Sequence, residues 1–147
     1  MSLRTNMLYQ RHPLGLHKFN LVRMFGYKIK LHLWIPDSSA LPEDVHDHVR
    51  SFISIPLLGI FREKRYKKVD GSKALYACYQ ENRKGRRVDK IGEGVAALQV
   101  SSRYRFFPLP YYCHYTVLHG IEPIWKIPFV TLVIGLPQRK EFAEVIK

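Results

Sequence analysis

Residues 43–52 read EDVHDHVRSF. His46 and His48 stand two apart, the spacing that points two side chains to one face of a strand. Two imidazoles projecting in parallel can chelate one divalent transition ion. If a strand begins at His46, then His46, His48, Arg50, Phe52 and Ser54 share a face. Val49, Ser51, Ile53 and Ile55 take the other, and Asp47 points away from the pair. A third ligand must come from elsewhere. His114 in FFPLPYYCHYTVLHG is the favoured candidate, because it follows a proline turn and enters a strand. Cys113 and His119 are rivals of opposite parity; Cys113 reads as a buried thiol. His12, His17 and His119 lack partner spacing and read as structural or exposed. Three histidines on rigid strands would leave metal positions open for substrate and oxygen.

Arginine matches carboxylate and phosphate with paired donors, so Arg50, Arg62, Arg103 and Arg105 are candidates to hold an anion. Tyr111, Tyr112 and Tyr115 could supply phenol groups near His114. Tyr112 and Arg50 are the candidates for catalytic contacts, and His32, Arg62 and Arg105 for substrate contacts. His32 lies on the polar face of YKIKLHLWI with Lys28, Lys30 and Trp34. In a barrel that face would line the cavity. The simpler reading puts Ile29, Leu31 and Leu33 in the core and His32 in water.

The elements that must position these groups read as strands nearly throughout. KFNLVRMF and YKIKLHLWI alternate polar and apolar residues around Gly26, which predicts a hairpin. PDSSALPED reads as a loop. SFISIPLLGIFREKRYKKV passes Gly59 and turns basic, and Pro56 argues for an edge, a bulge or a bend. KALYACYQEN is a further strand, RKGRRVDK a basic turn, and PFVTLVIGLP a late strand rich in β-branched residues. RKEFAEVIK is the one segment that predicts a short helix. Short strands with Gly and Pro punctuation indicate an all-β sandwich or barrel. No linker or repeat appears, so residues 1–147 are expected to form a single domain.

The chain has 147 residues, 46% of them hydrophobic, enough for a core without staples. Two cysteines make no disulfide framework and read as free thiols. No apolar run spans a bilayer and none follows the basic N-terminus, so no membrane association and a cytoplasmic location are expected. A net charge of +12 predicts attraction to anions. REKRYKK and RKGRR, with Tyr66, Tyr76 and Tyr79 nearby, allow a second reading as a nucleic-acid surface. They fit equally a solvated edge strand protected by lysine and arginine. No helix-turn-helix, zinc-finger or ribonucleoprotein signature supports the nucleic-acid reading.

The pair His46 and His48 with Gly59 downstream resembles in spacing the first motif of the cupin superfamily, roughly G-x5-H-x-H-x3-4-E-x6-G. RFFPLPYYCH resembles the proline turn and histidine of the second. Phe52 stands at the motif's glutamate position, so the likeness is to the three-histidine subset, which includes the thiol dioxygenases. The resemblance implies a cupin-like β-barrel or double-stranded β-helix (jelly roll) and a homodimer. It implies Fe(II) held by His46, His48 and His114, and oxidation of a small anionic molecule by oxygen. Three histidines suit Zn, Ni, Cu or Mn as well. A non-redox cupin (an isomerase, a lyase or a small-molecule binding module) and a basic nucleic-acid-binding protein are the alternatives.

Overall fold

A computed structural model describes residues 9–12, 16–35, 45–81, 85–124 and 127–147. The predicted loop at 36–44 lies outside them. Period-two patterning yields eleven strands and, among the described residues, no helix. They are β1 (Tyr9–His12), β2 (Leu16–Met24), β3 (Tyr27–Trp34), β4 (Val45–His46), β5 (Phe52–Leu58) and β6 (Ile60–Glu81). Then follow β7 (Gly85–Phe106), β8 (Tyr111–Cys113), β9 (Leu118–Pro123), β10 (Phe129–Gly135) and β11 (Phe142–Ile146). One sheet has the order β1-β2-β3-β10-β5-β8, the other β11-β4-β9-β6-β7. Their pairings are antiparallel. From β4 onward the chain passes repeatedly from one sheet to the other, apart from β6 and β7, which pair as a hairpin within the second sheet.

The hairpin predicted around Gly26 forms. Phe25 and Gly26 both have positive φ, 52° and 83°, and Met24 pairs with Tyr27. Two left-handed residues make the turn whose twist matches the flanking strands. Pro56 sits at an irregularity between β5 and β10, beyond the reach of β8, which pairs only with Phe52, Ile53 and Ser54. The C-terminal segment is a strand rather than a helix. β11 is held between β4 and β6, with Phe142 against Tyr79, and cross-strand pairing overrides weak helix propensity.

The core joins the sheets through aromatics. Phe129 of the first sheet stacks on Trp34 (5.3 Å) and on Phe61 of the second (4.6 Å). Gly59 makes this possible. It is the corner at which β5 of one sheet becomes β6 of the other, with φ of +78°. A Cβ there would lie 2.7 Å from the Pro128 carbonyl oxygen and 2.8 Å from Phe129 Cβ. Gly59→Ala therefore meets both a strained φ and a clash against backbone, and should cost roughly 2–4 kcal/mol. The check is thermal unfolding, where Tm should fall by on the order of 10 °C. A change within about 2 °C would contradict the corner role.

Much of the basic run on β6 is engaged in ion pairs, two of them to neighbouring strands and one within β6. Lys64 meets Glu122 of β9 (2.6 Å), Lys68 meets Glu144 of β11 (2.8 Å), and Arg65 meets Glu63 (3.0 Å). In the second run, Arg87 covers the Tyr79 ring at 4.1 Å and contacts Asp89.

Candidate metal centre

β4 ends at His46, and residues 47–51 carry the chain across to β5 in the opposite sheet. His46 and His48 therefore straddle a sheet crossing and do not share one continuous strand. His46, His48, Arg50, Phe52 and Ser54 all line one cavity as expected, and Val49, expected on the other face, lines it too because the crossing is not a regular strand. Asp47 turns the other way. It is buried, accepts the Glu144 N–H at 2.7 Å, and pairs with Lys140. The aspartate thus fastens the crossing to β11.

The third histidine beside the pair is His119. It is the cross-strand partner of His46 and is 2% exposed. The ring centroids of His46, His48 and His119 form a nearly equilateral triangle of 4.8, 5.0 and 4.9 Å. One ligand atom from each lies within 4.8 Å of the others. The Nε2 atoms of His48 and His119 are 2.7 Å apart, so one proton is shared between them. A tetrahedral ion about 2.0–2.1 Å from each nitrogen needs them roughly 3.3 Å apart, a small opening.

Glu63 of β6 holds His119 from behind. Its Oε2 accepts from His119 Nδ1 at 3.1 Å. Its Oε1 accepts from Arg105 Nη2 at 2.8 Å and Arg65 Nε at 3.0 Å. Burial alone would raise the carboxyl pKa. Donation from His119 and Arg105, with the nearby Arg65 charge, outweighs it and brings the group to about 2. The ionised carboxylate keeps the proton on Nδ1, which leaves Nε2 bare and aimed at the cluster. This carboxylate–histidine arrangement fixes tautomer and ring orientation at metal sites. His48 is held well below the ordinary imidazole value, first by burial and then by His46, His119, Lys18 and His32. Neutral imidazole is the form that binds a metal. The donor set fits one divalent transition ion.

Glu63, Cys113 and His119 also lie close together. Both Glu63 oxygens are already engaged. Burial, with the charge of Glu63, pushes the Cys113 thiol up to about 12, so it is protonated there. That group supports the histidine cluster.

The remaining expected residues separate. His114 is exposed on the turn before β9, and its Nδ1 accepts from the Thr116 hydroxyl at 2.8 Å, away from the cluster. His119 has the parity of buried Tyr111 and Cys113 and His114 has the other, so His119, not His114, comes inward. Tyr112 is half exposed on the outer face, and its neighbour Tyr111 lines the cavity instead, hydrogen-bonded to Ser54. Arg62 is bound to the Tyr104 hydroxyl at the surface, 2.6 Å. Arg105 lies behind the site, on Glu63 and 4.2 Å over the Tyr111 ring. Arg50 does line the cavity, its Nη1 donating to Gly26 and Leu136 carbonyls, 3.0 Å each. His32 also lines it, with a buried Nε2 that has no hydrogen-bond partner among the described residues. The simpler reading of β3 is thus reversed: Lys28, Lys30, His32 and Trp34 face inward. Phe52, at the glutamate position, sets its ring edge-on against His48 at 4.9 Å and forms an apolar wall.

Compared with known proteins, the chain matches no family model and no curated sequence. Among the described residues, no helix is long and apolar enough to cross a membrane.

Proposed function

We propose that His46, His48 and His119 hold one divalent transition ion and that the protein uses it to transform a small organic molecule in the adjoining cavity. The observation that carries this reading is the convergence of three imidazoles, with Glu63 fixing the tautomer of one. Such an ion polarises a bound oxygen atom, or, when it is iron, passes electrons between substrate and dioxygen. The likeness of His46, His48 and Gly59 to the cupin motif favours Fe(II) and oxygen. The repeated passage of the chain between two antiparallel sheets supports a cupin-like jelly roll. The chain's own groups would orient the substrate: Phe52 excludes water from one side of His48, and Arg50, Tyr111 and His32 offer polar contacts.

The test is metal analysis of protein purified without chelators, followed by titration with Co(II). About one ion per chain is expected, with a d–d spectrum of nitrogen ligation. Less than about a tenth of an ion per chain for every first-row metal, before and after titration, would sink the reading. Oxygen uptake by the Fe(II)-loaded protein then separates oxidation from isomerase or lyase chemistry, which proceeds without oxygen.

A further inference from the structure

Pairing across the first sheet places its inward residues in rows. Lys18 of β2 pairs with His32 of β3, and His32 with Thr131 of β10. The next row is Asn20, Lys30, Val133 and Ser54. The row beyond it joins Lys28, Gly135 and Phe52. At the opposite end stand Leu16, Trp34 and Phe129, paired in the same way and buried. The cavity wall facing the histidine cluster therefore runs from aromatic to cationic along β3.

The cationic end is built for a guest. Lys18, Lys28, Lys30 and Arg50 line the cavity, and among the described residues no acidic side chain does. The charges acting on Lys28 come from Arg50, Lys30 and Arg23, all positive; with burial as the larger cause they bring its amine down to about 8. Gly135 leaves the space: a Cβ there would stand 2.9 Å from Arg50 Cδ. Between the two ends His32 presents its buried Nε2, which has no partner among the described residues. A polar atom so placed costs free energy unless a ligand or water meets it. The cavity is about 140 Å³, room for on the order of ten waters. Lys30 and His32 are about 7 Å apart along the strand, a gap that a few carbon atoms bridge.

We infer that the cavity binds a short-chain organic carboxylate. Its carboxylate sits among Lys28, Lys30 and Arg50, its carbon chain lies over Phe52 and Val133, and its other end reaches His32 beside the histidine cluster. This rests on reading the cavity as the substrate chamber. It does not require that a metal be bound, because Lys28 and Lys30 stand on the opposite sheet and Arg50 is fixed by the Gly26 and Leu136 carbonyls.

The test is isothermal titration of chelator-treated protein with hexanoate and with its uncharged isostere hexanamide. Hexanoate should bind at least roughly tenfold more tightly. In a Lys28→Met, Lys30→Met variant the preference should vanish while hexanamide binding persists, and unfolding curves check that the variant is folded. A Lys67→Met variant, altered on the exposed stretch of β6, should keep the preference. Equal binding of the two probes, no hexanoate binding at about 10 mM, or a preference retained in the double variant would overturn the inference. Because the titration uses metal-free protein, failure of the metal site cannot pass for failure of the carboxylate site.

Discussion

His119→Ala is expected to reduce metal loading from about one ion per chain to under about a tenth, while His114→Ala leaves it unchanged. The contrast follows from position. His119 is buried at the apex of the triangle, its Nε2 2.7 Å from that of His48. His114 is exposed and occupied by Thr116. Loss of a ligand should exceed the roughly 10–100-fold weakening that loss of an orienting partner produces. Competition against a chromophoric chelator measures both variants. A His114→Ala variant that loses metal as completely as His119→Ala would mean that the cluster has been misidentified.

The second large effect belongs to Glu63. It is 1% exposed and bonded to His119, Arg105 and Arg65. Removing the carboxylate leaves buried His119 and largely covered Arg105 without their partner, at a cost of about 3–5 kcal/mol. Glu63→Ala should lower Tm by on the order of 10 °C. The pH dependence gives an independent reading. The folded-state pKa is held at about 2, against an ordinary 4.5. A depressed carboxylate contributes stability that is present above the unfolded pKa and lost as pH falls toward the folded one. Glu63 should therefore contribute about 3 kcal/mol above pH 4.5, declining progressively between pH 4.5 and 2. Urea midpoints from pH 7 to pH 3 should fall less steeply in Glu63→Gln than in the native chain. Parallel curves would remove Glu63 from the account of acid sensitivity.

Local pattern revealed the strands, the Gly26 hairpin and the two clustered histidines, because each rests on residues close together in sequence. What it could not reveal depends on distant pairing. His119 enters the site because it lies opposite His46 in a strand register, and no spacing rule within YTVLHG encodes that. Tyr111 takes the inward place because it pairs with Ser54 of β5, as Cys113 pairs with Phe52, and Tyr112 falls on the outer face between them. The inner face of β3 was hidden for a different reason. Apolar Ile29, Leu31 and Leu33 suggest the core side, yet the cavity needs the polar set inside, and the sheet leaves its apolar set only partly covered. Glu63 carried no signal either. It sits in a basic run, REKRYKK, where a lone glutamate looks like surface charge.

The β6–β7 hairpin has a consequence for how the site comes into being. His48 and His119 are 71 residues apart in the chain, and closing so long a loop directly is slow. The β6–β7 pairing runs from Glu81 opposite Gly85 to Ile60 opposite Phe106. Once it has formed, roughly a dozen flexible residues remain on either side between its base and each histidine, which lowers the closure entropy by about 1 kcal/mol. A hairpin formed early would thus act as a splint, shortening the search that brings the two halves of the histidine cluster together.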